Sequence, residues 1–210
     1  MNRFSINGLF AVTEWITKFA YINLLWLGFT LVGLGIFGFF PSTISMFTVI
    51  RKWLIGETDV PVFPTFWKTF KKEFRKSNIL GMIILVVTGL LFLDLVFMKN
   101  NGSSFTSIIH IPLYLFIFTC VMTLLYLFPV YVHYDVKFFE MVKNSFLIML
   151  INPLSNLVMI GGIVAVYFIA KTIPGIGFFF GGSITSMIIM ATCYAAFTKI
   201  EQKKQVTETT

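Results

Sequence analysis

Long apolar runs separated by short polar stretches dominate the hydrophobic pattern of this chain. Residues 19–40, for example, hold no charged side chain and are polar only at Asn23 and Thr30. A run of about 20 apolar residues is long enough to cross a bilayer as a helix. The pattern predicts an all-α, polytopic integral membrane protein, with residues 1–210 forming a single transmembrane domain. Its six predicted membrane helices are residues 19–40, 41–55, 79–98, 108–130, 146–170 and 178–200.

The second predicted helix is short. Glycines and Pro41 predict a turn near residues 38–41, after which residues 41–55 form the helix. The 16 residues from Phe40 to Ile55 would rise only about 24 Å, against a hydrocarbon core of about 30 Å. The helix could therefore be re-entrant, or it could cross with Arg51 and Lys52 extended toward the surface. We expect a crossing, because it places the N-terminus and the next basic segment on one side.

Residues 61–76 form the most polar segment between the apolar runs and have the pattern of an amphipathic helix. Aromatic side chains share one face: Phe66, Trp67, Phe70 and Phe74. Cations share the opposite face: Lys68, Lys71, Lys72 and Arg75. Such a helix suits the boundary between acyl chains and anionic headgroups, and an acidic protein partner is the alternative. Residues 136–145 resemble it weakly and are predicted to form a second cytoplasmic surface helix.

Composition and charge agree with a membrane protein. Hydrophobic residues make up 57% of the chain and charged residues 12%, about half the charged share of a typical soluble domain. The net charge of +7 comes from cations beside the apolar runs, which favours an anionic inner leaflet over nucleic acid as the partner. Six crossings would leave 14 of the 16 basic residues inside, so we predict that both termini are cytoplasmic. Residues 201–210 are expected to be a disordered tail.

Residues that could support chemistry are sparse. Asp94 is the one charged residue in the body of a predicted membrane helix. It marks either a polar pathway or an acid that reaches the headgroups. Asn152 and Asn156 flank Pro153, which could either open the helix, as in transporters, or merely kink it. No nucleophile, phosphate-binding or metal-ligand motif occurs, so we predict no catalytic residue, cofactor or metal site, and no enzymatic activity.

Several motifs in the first 80 residues resemble those of the YesL-like family of bacterial integral membrane proteins. They are Asn-Leu-Leu-Trp at residues 23–26, the glycine-rich turn after it, Arg51-Lys52-Trp53 and the phenylalanine-rich basic helix. The resemblance would lead us to expect proline at position 32, where this chain has Val32. Genes of this family often lie beside genes for carbohydrate uptake and polysaccharide breakdown.

The resemblance therefore implies a multi-pass protein of the bacterial cell membrane, acting as a non-enzymatic accessory component linked to carbohydrate uptake. A permease of a carbohydrate importer is then the expected protein partner. The alternative is that the chain is itself a small transporter, with a pathway near Asp94, Asn152 and Asn156.

Overall fold

The computed structural model describes residues 3–100, 106–134 and 136–208, with side chains over residues 10–98, 111–134 and 136–202. Within these ranges every regular element is an α-helix, which confirms the predicted all-α class. The helices are α1 (Arg3–Val32), α2 (Ile36–Leu54), α3 (Val62–Asn100), α4 (Thr106–His133), α5 (Phe138–Ile151), α6 (Pro153–Thr172) and α7 (Pro174–Glu208).

Five helices of the described part are long and apolar enough to cross a membrane, so the chain is a multi-pass membrane protein. They span Phe10–Val32, Val62–Met98, Ile111–His133, Pro153–Thr172 and Pro174–Gln202. The predicted helix at 41–55 is not among them; it corresponds to α2. Instead of facing lipid, α2 lies between α1, α3, α4 and α7, so its side chains need not all be apolar.

Helices α1 and α2 form an antiparallel hairpin. The turn lies at residues 33–35, where Leu34 and Gly35 have φ values of 59° and 77°, and not at the predicted residues 38–41. Trp26 Nε1 donates to Thr43 Oγ1 over 3.0 Å, while Trp15 and Trp53 meet edge to face at 5.5 Å. Because α2 starts at Ile36, its 19 residues rise about 28 Å, close to the thickness of a hydrocarbon core.

The two segments predicted at 61–76 and 79–98 are one continuous helix, α3. The polar residues at their junction do not interrupt the backbone ladder. Asn78 Nδ2 and Ser77 Oγ both donate to the carbonyl of Phe74, over 2.7 and 3.3 Å. Polar side chains that bond to their own helix in this way are compatible with its continuation. The basic segment is therefore the first part of a membrane helix and not a separate surface helix.

The predicted helix at 146–170 is divided at Asn152 into α5 and α6. Pro153 lacks an N–H group and its ring would clash with the carbonyl four residues earlier, which explains the break. Of the predicted surface helix at 136–145, residues 138–145 form the first part of α5, and residues 136 and 137 precede it. Helix α7 continues to Glu208, so residues 201–208 are helical where disorder was expected; residues 209 and 210 lie outside the described part.

Candidate functional site: a polar cleft beside the cationic face of α3

The aromatic face of the basic segment is held partly inside the protein. Phe66 is fully buried and Phe70 is 6% exposed, and their rings lie 5.3 and 5.1 Å from the ring of Phe29 on α1. Trp67 and Phe74 remain 38% and 36% exposed. The aromatic side chains thus anchor α3 to the α1–α2 hairpin and leave only part of this face for lipid.

The opposite side of the same segment is a cationic face, which consists of Lys68, Lys71, Lys72 and Arg75. All four side chains are exposed. Lys71 Nζ lies 4.8 Å from the centroid of the Trp67 ring, a distance at which the cation is attracted to the ring. Since α3 is continuous and anchored through Phe66 and Phe70, this face has a fixed position relative to the membrane helices.

A polar cleft of about 630 Å³ lies next to the cationic face. Helix α3 contributes Thr69, Lys72, Glu73 and Lys76 to its lining, and the other lining residues come from α2, α4, α5 and the segment between α4 and α5. Those residues are Ile44 and Thr48 of α2, Tyr131, Val132 and His133 of α4, Tyr134 and Val136 after it, and Met141 of α5. The cleft is therefore enclosed by helices that are distant in sequence.

Tyr131 joins the cations and the acid of α3. Its hydroxyl donates to Glu73 Oε2 over 2.6 Å, and Lys76 Nζ lies 5.2 Å from the centroid of its ring. Lys72 Nζ is 3.7 Å from the other oxygen of Glu73. A hydrogen bond to a carboxylate is stronger than one between neutral groups, so Tyr131 and Glu73 hold α3 and α4 together at the cleft.

A second polar chain links α2, α4 and α7 beside the cleft. Arg51 Nε donates to His133 Nδ1 over 3.2 Å, and His133 Nε2 lies 3.4 Å from Glu201 Oε1. Because a guanidinium can only donate, Nδ1 accepts, and the neutral ring carries its proton on the nitrogen that faces Glu201. Burial raises the pKa of the neighbouring Tyr134, and Glu201 raises it further.

Sequence reasoning missed most of these cleft residues. Glu73 is the single acid among the cations of residues 61–76. This difference in charge was the one local feature of the sequence that could have indicated a role for Glu73. Arg51, His133 and Glu201 are separated by 82 and 68 positions, and no local pattern connects them. The cleft can bind and orient an anionic or hydrogen-bonding group, since it offers lysines, a tyrosine and an imidazole in one place.

The candidate pathway residues Asn152 and Asn156 are engaged in the helix break. Asn156 Nδ2 donates to the carbonyl of Met149 over 2.9 Å, and its Oδ1 accepts from the Tyr126 hydroxyl over 2.8 Å. Asn152 Nδ2 donates to the carbonyl of Ile148 over 2.9 Å. Both amides thus satisfy carbonyls at the end of α5. Among the described contacts, Asp94 takes no part in this group, and its side chain is exposed on α3.

Asn23 is a further polar residue whose role sequence reasoning missed. Its side chain is 1% exposed, although it lies in a membrane helix. Asn23 Nδ2 donates to the carbonyl of Phe178 over 2.7 Å, and Ser183 N donates to its Oδ1 over 2.9 Å. The amide therefore inserts between backbone groups of α7 and ties that helix to α1. This bond accounts for a polar residue in the Asn-Leu-Leu-Trp motif.

The sequence of this chain is similar to the sequences of three proteins of Bacillus subtilis (strain 168). The chain is 39% identical over 198 residues to YteU of Bacillus subtilis (strain 168), covering 94% of this chain and 89% of YteU. It is 38% identical to YesL and 33% identical to YesV of the same organism, covering 94% of each. The chain belongs to the YesL-like family. All three relatives are described as uncharacterized proteins.

The YesL-like resemblance extends beyond the motifs in the first 80 residues. The family described as "Protein of unknown function, DUF624" matches residues 19–95, which cover the last part of α1, all of α2 and most of α3. The three YesL-like relatives align over nearly the whole chain, including the helices that complete the polar cleft. No solved structure matches this chain.

Proposed function

We propose that this chain is a non-enzymatic accessory component of carbohydrate uptake in the bacterial cell membrane, with both termini cytoplasmic. In this proposal the cationic face of α3 lies at the anionic inner leaflet and contacts the permease of a carbohydrate importer. The alternative is a small transporter that moves a solute by itself.

The observation that carries the proposal is the fixed position of the cationic face. Phe66 and Phe70 are buried against Phe29, so the cations are displayed by a rigid extension of a membrane helix. A helix needed only for adsorption to lipid could lie freely on the surface with all its aromatic residues in the bilayer. A preorganised surface binds a protein partner with a smaller loss of conformational freedom.

The use of polar side chains within the membrane helices also favours an accessory role. A sugar pathway requires several hydrogen-bond partners that face a common cavity. Here the amide of Asn23 bonds to the backbone of α7, and the amides of Asn152 and Asn156 bond to carbonyls at the end of α5. Those donors are therefore already used within the protein.

The association with carbohydrate uptake rests on the resemblance to the YesL-like family and on the usual neighbourhood of its genes. It is an argument by association, since folds and families host more than one function. The cationic face provides a surface through which this association could occur, because an importer subunit with an acidic cytoplasmic surface would complement Lys68, Lys71 and Arg75.

Co-purification tests the accessory role. The full chain is co-expressed with the permease subunits of the carbohydrate importer encoded beside its gene and is isolated in mild detergent. We expect the permease to be retained, and Lys68→Gln, Lys71→Gln and Arg75→Gln together to reduce retention at least tenfold, because each cation contributes about 1 kcal/mol at such a surface. Lys171→Gln, a cation at the end of α6, is the matched control and should leave retention unchanged.

Reconstitution of the purified chain alone separates the two candidate functions. We expect no sugar flux into proteoliposomes that contain this chain without the permease. Flux that disappears in Asp94→Asn or Asn156→Ala would show a transporter and contradict the accessory role. If the unsubstituted chain neither retains the permease in detergent nor gives sugar flux in proteoliposomes, both the accessory role and the transporter role are contradicted.

A further inference from the structure

A second hollow lies beyond the polar cleft, in the apolar part of the protein. This apolar cavity, of about 580 Å³, lies between α3, α4 and α5. Its walls include Leu80 and Val87 of α3, Phe116 and Leu127 of α4, and Phe146 of α5. Helices α3 and α4 make few direct contacts with each other, and the gap between them forms the cavity.

The cleft and the cavity occupy successive turns of the same helices. On α3, Lys76 lines the cleft and Leu80, four residues later, lines the cavity. On α4, Tyr131 lines the cleft and Leu127, four residues earlier, lines the cavity. Residues four apart lie on the same face of a helix. The two hollows therefore follow one another along the same faces of α3 and α4, one with polar walls and one with apolar walls, and together they are called the groove.

The polar end of the groove carries a net positive charge. Lys72 and Lys76 line the cleft together with Glu73, and Lys143 of α5 lines the apolar cavity. One oxygen of Glu73 accepts the Tyr131 hydroxyl, so this acid is partly satisfied within the protein. The two lysines and one carboxylate of the cleft leave an excess of positive charge there, and Lys143 adds a third cation to the groove, which favours an anion.

The apolar end offers almost no hydrogen-bonding groups. The hydroxyls of Thr119 and Thr123 line the cavity, but each donates to a carbonyl of its own helix, over 2.8 Å in both cases. The remaining walls are aliphatic and aromatic, apart from Cys120 and Lys143. A polar solute would lose its hydration there without compensation, whereas a hydrocarbon chain would not.

The length of the cavity fits one leaflet. From Leu127 to Phe116 the lining of α4 spans 12 residues, whose 11 steps rise about 16 Å along the helix. Half of a hydrocarbon core of about 30 Å is about 15 Å. A cavity that starts at a cationic surface and ends near the middle of the bilayer matches a single acyl chain.

We propose that this groove binds one anionic phospholipid, with its phosphate at Lys76 and Lys143 and one acyl chain in the apolar cavity between α3 and α4. Lys72 adds positive charge at the mouth. The site goes beyond the proposed accessory role and does not depend on it. The ligand is a lipid of the surrounding membrane, because neither a free phosphate nor an uncharged lipid would complement both ends of the groove.

Native mass spectrometry of the full chain in detergent tests the site. Phosphatidylglycerol and phosphatidylcholine with the same acyl chains are added at equal concentration. We expect phosphatidylglycerol to be retained preferentially, and Lys76→Gln and Lys143→Gln to weaken its retention by about fivefold each. Lys68→Gln and Lys71→Gln, on the same surface of the protein but outside the groove, are the matched controls and should have a smaller effect.

Two measurements test the apolar end. Cys120→Trp fills the cavity and should abolish the preference for phosphatidylglycerol while the thermal transition of the protein is retained. In the protein with Cys193→Ala, bound phosphatidylglycerol should also slow alkylation of Cys120 by a maleimide. This second measurement needs no bulky substitution and applies even if Cys120→Trp fails to fold.

Three outcomes would overturn the proposal. The first is equal retention of the two lipids. The second is a preference for phosphatidylglycerol that is reduced equally by substitution of the groove lysines and by substitution of the control lysines. That result would indicate adsorption to the whole cationic surface. The third is competition by glycerol phosphate as strong as that by the intact lipid, together with unprotected Cys120, which would leave only an anion site in the cleft.

Discussion

Helices α2 and α6 have nearly the same length, 19 and 20 residues, but opposite surroundings. Twelve residues of α2 are buried, whereas Met159 is the one buried residue of α6; the structure describes both helices completely. Helix α6 has the hydropathy of a membrane helix, and α2 does not. The helix at the centre of this protein is thus the less apolar of the two.

The difference shows what hydropathy measures in a membrane protein. Lipid-facing side chains must be apolar, while a helix shielded by its neighbours can carry hydroxyls and cations if they are bonded or reach an interface. On α2, Thr43 bonds with Trp26, and the Ser45 hydroxyl donates to the carbonyl of Pro41 over 2.7 Å. Arg51, near the end of α2, meets His133 at the polar chain. The low hydropathy of α2 is therefore a consequence of its burial.

Matched glycine substitutions should give the largest contrast between the two helices. A Cβ at Gly38 of α2 would come within 2.5 Å of the carbonyl oxygens of Phe29 and Thr30, whereas a Cβ at Gly161 of α6 would meet nothing within 4 Å. We expect Gly38→Leu to lower the free energy of unfolding by about 3 kcal/mol, because the backbone of α1 blocks the added side chain. Gly161→Leu should change it by about 0.5 kcal/mol or less.

Thermal unfolding of the two variants in the same detergent measures this contrast. Gly28→Leu on α1, where a Cβ also has open space, controls for the loss of a glycine within the hairpin itself. Similar transition temperatures for Gly38→Leu and Gly161→Leu would mean that α2 is not packed more tightly than α6.

The bond between Asn23 and α7 should give the next largest effect, because it closes one side of the enclosure around α2. Asn23→Leu removes both bonds and leaves the N–H of Ser183 and the carbonyl of Phe178 without that partner. Loss of a buried hydrogen-bonding partner costs about 1 to 3 kcal/mol in water-soluble proteins and about 1 kcal/mol in membranes. We therefore expect a loss of about 2 kcal/mol for the two bonds.

Asn78→Leu is the control for Asn23→Leu, since Asn78 bonds to its own helix over 2.7 Å in an exposed position. The transition temperatures of the two variants in detergent should differ by several degrees. A drop in the control as large as in Asn23→Leu would assign the effect to asparagine in general and not to the tie between α1 and α7.

The apolar runs and the cations were enough to predict the fold class, most of the membrane helices and the basic part of α3, because each depends on local composition. The division at Pro153 was also open as an alternative, since proline acts on its own helix. The predicted position of the α1–α2 turn was wrong because Gly38 lies within α2, where it packs against α1. The continuity of α3 was not predicted because Ser77 and Asn78 bond within the helix.

The candidate site depends on contacts between distant parts of the chain, which local patterns do not contain. Asn23 and Ser183 are 160 positions apart, and Tyr131 and Glu73 are 58 apart. A buried asparagine in a membrane helix indicates that a partner exists but not which one. The polar cleft and the apolar cavity likewise arise from the way α3, α4 and α5 are packed, and no single helix carries their pattern.

The smallest expected effect on stability concerns the hydrogen bond that joins the start of α6 to α4. The Tyr126 hydroxyl donates to Asn156 Oδ1, while Asn156 Nδ2 keeps its own bond to Met149. Tyr126→Phe should therefore cost only about 1 kcal/mol, since one neutral hydrogen bond is lost and the carbonyl at the end of α5 remains satisfied. Tyr167→Phe, on the exposed side of α6, should leave the transition temperature unchanged.

Asn156→Leu completes this comparison. It also removes the side-chain bond to the Met149 carbonyl, which then keeps only the Asn152 N–H at 3.4 Å, so its cost should exceed that of Tyr126→Phe, and adding Tyr126→Phe to it should cost nothing further. A double-mutant cycle in detergent measures this coupling directly. Additive losses would mean that Tyr126 stabilises α4 by itself, and that α6 is held by α7 without a contribution from the helix break.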